Sequence, residues 1–135
     1  MTSQPLKTSG SAAVRYQKLF DASQDGILIL SFDTGAIENA NPFISTLLGF
    51  SKEELLGKQL WEIGTVLDRD AALAAFKVLK GHGYIRYNNL PLLSKTGKVI
   101  EVEFIANVYD VDHHPIIQCL IRDIEKQKNA ERVLA

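Results

Sequence analysis

The chain is poor in the residues that advertise chemistry. It holds a single cysteine, Cys119, so no internal disulfide can form and nothing points to an oxidising compartment. No apolar run approaches the ~20 residues needed to span a bilayer, and the opening MTSQPLKTSGS lacks the apolar segment of a signal peptide. Neither sign of charge predominates. With 15 Lys and Arg against 16 Asp and Glu, the formal net charge is −1, which gives no global reason to expect nucleic acid or an anionic membrane as a partner. Also missing are a Gly-rich phosphate loop, zinc-type Cys/His spacing and a Gly-x-Ser-x-Gly elbow. Acid pairs such as Glu53/Glu54 and Glu101/Glu103 read as solvent-facing cap and strand residues. The expectation is a cytoplasmic domain that is not an enzyme.

What is present suits one soluble globular domain: 135 residues, 46% hydrophobic and 23% charged. Residues 1–10 read as a flexible leader. Ala12, Ala13, Tyr16, Leu19 and Phe20 recur at helical spacing and predict an amphipathic helix over 11–21. Residues 27–31 are an apolar run suited to a buried strand. Gly35 lies in a turn, and 36–40 returns as the hairpin partner.

The stretch 39–60, NANPFISTLLGFSKEELLGKQL, organises the chain. Asn41 suits an N-cap, because its side-chain oxygen can accept an otherwise unpaired backbone N–H. Pro42 suits the first helical position, where its missing N–H costs nothing. Phe43, Leu47 and Leu48 share one helical face, and Gly49 stops the helix. Ser51 caps a second short helix with Glu54 at capping-box spacing, and Gly57 closes that turn.

Beyond it, Trp61 and Ile63 are apolar anchors and Asp68 is a candidate cap for a helix over 69–80. That helix carries Leu73, Phe76, Lys77 and Lys80 along one side, and its many alanines make it apolar over more than half its circumference. Three strands follow: 84–93, 98–109 and 116–122, with turns at 94–97 and 110–115. Ile100, Val102, Phe104, Ala106 and Val108 alternate onto one face of the second. Pro91 cannot donate a ladder hydrogen bond, which places the first of the three at a sheet edge. From Glu125 the sequence EKQKNAERVLA has strong helix formers and no breaker.

The segment Gly49-Phe50-Ser51-Lys52-Glu53-Glu54-Leu55-Leu56-Gly57 resembles the G-[YF]-[ST]-x-E-E-L-x-G stretch of the PAS domain family, and the remaining segments follow in the family's order from about Tyr16 to Asp123. The resemblance implies an α+β fold over 22–124, a five-stranded antiparallel sheet of order 2-1-5-4-3 with helices on one face. It also implies that the 69–80 helix walls a ligand pocket. Residues 125–135 would begin a C-terminal signalling helix leading to a fused output domain such as a histidine kinase, the chain being a piece of a longer sensor. Asp123 would anchor that junction through Lys95 or Arg122. Glu125 stands where the family has threonine.

The strand and helix registers nominate a pocket of Phe43, Leu47, Leu73, Phe76, Asn88, Leu90, Leu92, Val102, Phe104, Ile117 and Cys119, which is apolar except for Asn88. Its ligand is a small molecule of unknown identity, or the same side chains simply fill a core. Haem finds no histidine within 69–80, and the Gly57–Trp61 region lacks the cysteine of flavin photochemistry. Asp110, Asp112, His113 and His114 read as a turn rather than a metal site, and Cys119 reads as a small buried hydrophobe. The opposite sheet face carries Ile105, Tyr109, Ile116 and Leu120. The patch predicts a homodimer with Tyr16, Leu19, Ile105, Tyr109 and Leu120 near the contact, against the alternative that the 11–21 helix covers it within one chain. The rival to a ligand sensor is a ligand-free dimerisation and coupling module.

Overall fold

The computed structural model describes residues 3–63 and 69–124. In chain order they form α1 (Ser3–Ala22), β1 (Gly26–Ser31), β2 (Ile37–Ala40), α2 (Pro42–Leu48), α3 (Lys52–Leu55), a 3-10 turn (Leu60–Glu62), α4 (Arg69–His82), β3 (Tyr84–Leu93), β4 (Val99–Val111) and β5 (His114–Asp123). All strand pairs are antiparallel and the order is β2-β1-β5-β4-β3, as the resemblance implied. β3 is an edge strand, as Pro91 requires.

Three boundaries differ from the expectation. α1 starts at Ser3, well before residue 11. Pro5 lies in the first turn, where no N–H is needed, and Gly10 weakens the helix without breaking it. α4 runs two residues past Lys80, to His82. The last hairpin turn is only two residues: Asp112 and His113 take φ of 51° and 67°, a conformation open to Asp and matched to strand twist, so the strands run on through Val111 and His114. Asp68 and everything from Glu125 on lie outside the described residues.

The core sits between the sheet and α2, α3 and α4. Leu28, Leu30, Val102, Phe104, Ala106, Ile117, Cys119 and Ile121 point into it from the strands. From α2 the buried residues are Ile44 and Leu48, with Phe43 and Leu47 only half-buried. Among the described residues no helix is long and apolar enough to cross a membrane.

The α2–α3 corner is tied by polar groups. Asn41 is fully buried: its Oδ1 accepts from the N–H of Ile27 at 2.9 Å and of Ile44 at 3.2 Å, and its Nδ2 donates to the carbonyls of Phe20 at 3.1 Å and Asp25 at 2.9 Å. One side chain therefore pins the end of α1, the start of β1 and the first turn of α2. Gly49, at φ 81°, ends α2 in the left-handed conformation that a side chain disfavours. The capping box forms, with Ser51 N to Glu54 Oε1 at 3.0 Å and Glu54 N to Ser51 Oγ at 3.1 Å. The other Glu54 oxygen takes Lys95 Nζ at 2.6 Å, and Lys95 N donates to Leu48 O at 2.8 Å, fastening the β3–β4 hairpin to this corner.

Candidate functional site

Beneath α4 lies a cavity of about 70 Å³. α4 contributes Ala72, Ala75, Phe76 and Leu79, an i, i+3, i+4, i+7 stripe, and the 3-10 turn contributes Leu60 and Trp61. The sheet contributes Leu30, Ile85, Tyr87, Leu90, Leu92, Phe104, Ala106 and Cys119. Space remains because three of these side chains, Ala72, Ala75 and Ala106, stop at Cβ. The β1–β2 turn braces the wall: Gly35 has φ of 76°, and a Cβ there would stand 3.2 Å from Trp61 Cη2 and 3.4 Å from Phe76 Cε1, so a side chain would strain the backbone and crowd both rings. The Trp61 and Phe76 rings pack at 5.8 Å, and the Lys80 ammonium lies over the rings of Phe32 at 4.7 Å and Phe76 at 5.3 Å.

Of the residues nominated for a pocket, the cavity brings together Phe76, Leu90, Leu92, Phe104 and Cys119. Val102 and Ile117 are fully buried in the core but do not line it. Phe43, Leu47 and Leu73 are half-buried and also lie outside its wall. Asn88 is exposed, contrary to the alternation counted back from Leu92. The cause is an irregularity in the β3–β4 pairing between Tyr87 and Leu90, where one extra residue on β3 reverses the phase. Tyr87 and Ile85 turn inward in its place. The helix stripe was misplaced by one position, because Leu73 is larger than the alanines that face the sheet.

Cys119 is fully buried, and burial pushes its thiol up to about 12. It is a neutral hydrophobe at neutral pH, not a redox centre. Haem and flavin do not fit: a cavity of ~150 Å³ admits benzene, and the space here is about half of that. No histidine lines it. Among the described residues no three His, Cys, Asp or Glu side chains are grouped to hold a metal.

Lys95, in the β3–β4 turn, is held by Glu54, as above, and at the end of β5 Arg122 reaches Asp25 at 3.5 Å and Glu103 at 3.4 Å. Glu103 also pairs with Arg86. Asp123 closes β5 opposite Val102. On the outer sheet face Ile105 pairs with Leu120 and Tyr109 with Ile116 across β4 and β5. Ile105, Ile116 and Leu120 are half-buried, and Tyr109 is open. Tyr16 and Leu19 stay exposed, Leu19 at 73%, while Phe20 is buried, so α1 is anchored by its last turn and does not bury its own stripe.

The sequence matches the family model of the PAS domain over residues 14–82. Comparison with the curated proteins finds no match. Among solved structures the chain is similar to the PAS domain of an HTR-like protein from Haloarcula marismortui, with TM-score 0.76 and 21% identity, covering 90% of this chain and 98% of that one. It is also similar to a domain of a sensory box sensor histidine kinase/response regulator from Geobacter sulfurreducens, with TM-score 0.65 and 22% identity over 83% of this chain and 94% of that one. A third is the PAS domain, in complex with ethanol, of a LuxR-family transcriptional regulator from Burkholderia thailandensis, with TM-score 0.64 and 13% identity over 82% and 97% of the two chains.

Proposed function

This chain belongs to the PAS domain family, and on that premise we propose that it senses a small molecule in the cavity beneath α4 and relays its presence through the end of β5 to a fused output domain such as a histidine kinase. It is a sensory domain of the kind found in sensor histidine kinases. The observation that carries the finer reading is that one strand serves both ends. Cys119 of β5 lines the cavity, and four residues on the same strand stops at Asp123. A ligand packed against Cys119 bears on the strand that leads out of the domain. Arg122, held by Asp25 and Glu103, ties that exit to the chain's entry at the end of α1. The domain works in the cytoplasm and catalyses no reaction of its own.

A second reading, a ligand-free dimerisation and coupling module, is favoured by the open side chains of Tyr16, Leu19 and Tyr109 beside the half-buried Ile105 and Leu120. The two readings share the expectation of a homodimer. Native mass spectrometry of the freshly purified chain, before and after solvent extraction, separates them. The proposal expects a dimer whose mass exceeds two chains by a small discrete increment that extraction removes. A dimer of bare mass that stays bare on incubation with small molecules would favour the coupling module, and a monomer at high concentration would remove the interface.

A further inference from the structure

We propose, resting on the ligand-sensing reading above, that the ligand of this cavity is a wholly apolar molecule of very few heavy atoms, of the light-hydrocarbon class, with no hydrogen-bonding group. Size sets the first limit. At about 70 Å³ the cavity is roughly half the ~150 Å³ that admits benzene, so its occupant has about three heavy atoms. Alanines set that size: Ala72 and Ala75 on α4 and Ala106 on β4 carry only a methyl group, where Phe76 and Phe104 beside them carry rings. Ala72, Ala75 and Phe76 are only half-buried, so the way in lies along α4.

The surface sets the second. It is almost wholly apolar, so Tyr87 and Trp61, which carry an oxygen and a nitrogen, border the space with ring carbon. The backbone polar groups of the sheet beneath are spent in the β1–β5, β4–β5 and β3–β4 ladders. A water settles in such a space only with roughly two to four polar partners, and this surface does not supply them. A hydroxyl or carbonyl would give up its bonds to water without replacement. A charge would cost far more, and none of the described residues that line the cavity is charged.

Attraction sets the third. The rings of Trp61, Phe76, Tyr87 and Phe104 and the sulfur of Cys119 are polarisable, and burial holds that thiol neutral. A void forfeits dispersion contacts that a close-fitting guest restores, and a guest too small to fill it restores only part of them. Taking the guest's own apolar surface out of water adds the hydrophobic contribution. A light hydrocarbon collects both and leaves no polar group unpaired.

The test titrates the chain, watched through its amide NMR spectrum, with propane under graded pressure and with ethanol, formate and ethylammonium, each matched to propane in heavy atoms, and repeats each on Ala75→Leu and Ala72→Leu. The expected result is that propane shifts the amides of Ala75, Ala106 and Cys119 at a dissolved concentration at least tenfold below that at which any of the other three does. In either variant, folded by its spectrum, the added side chain fills the space and weakens the propane response at least tenfold. Ethanol or either ion acting at those amides at an equal or lower concentration would overturn the ligand class and leave ligand sensing standing. An undiminished response in both folded variants would place the binding elsewhere and overturn the proposal. Selective propane binding with no shift at Arg122 and Asp123 would uphold the class of occupant and overturn the relay through β5. A response to none of the four in the parent chain would overturn both.

Discussion

The two ends of the helical layer are built on opposite principles. At the α2–α3 corner, directed polar contacts supplement the packing: Asn41 joins three elements with four hydrogen bonds, the Ser51–Glu54 box closes α3, and Lys95 fastens a distant hairpin. Under α4 the contacts are dispersive, the side chains facing the sheet are trimmed to methyl groups, and a void remains. Hydrogen bonds fix geometry, and a loosely filled apolar space admits small changes at little cost. The corner is the frame and the α4 side is the part able to respond.

The largest effect that would break this contrast comes from Asn41. Replacing it with alanine strands two backbone N–H groups and two carbonyls, and the expected loss is about 3 kcal/mol in a urea melt, taking roughly 1 kcal/mol or more per group with some relief from water. A loss below about 1 kcal/mol would mean that the corner is held by packing instead.

How far each region can be read from sequence follows the same division. The corner's rules are short-range: Asn41-Pro42, Gly49 and the Ser51/Glu54 spacing each specify a cap within four residues, and each forms. What escaped there was long-range, the Asn41 donors to Phe20 and Asp25 and the Lys95–Glu54 pair 41 residues apart. The sheet order was legible through the family resemblance and Pro91. The cavity was legible only in part. Alternation on β4 and β5 placed Phe104 and Cys119, but the irregularity at Asn88-Asn89 has no glycine or proline to announce it and swaps Asn88 for Tyr87. Alanine is equally at home on an exposed or a buried helix face, so Ala72 and Ala75 carried no sign of their role.

The smallest expected effect is electrostatic and belongs to the corner's surface. The hydrogen bond from Lys95, followed by that from the Ser51 backbone, lowers Glu54 below its ordinary value of 4.5. A folded-state value below the unfolded one contributes stability above pH 4.5 that is lost as pH falls through the folded value. Glu54→Gln keeps the cap and removes the charge. The variant should lose less stability than the parent on acidification below that pH in low salt, and the difference should vanish at about 1 M salt, where the pair is screened. Equal acid profiles in low salt would show that the pair contributes nothing beyond the cap.

The central claim, a fixed corner beside a responsive α4 wall, is tested most directly by residue-resolved native-state hydrogen exchange of the chain. The account predicts that Ile27 and Ile44, whose amides Asn41 holds, exchange more slowly than Ala75, Phe76 and Leu79 of α4. Equal or faster exchange at Ile27 and Ile44 would contradict it.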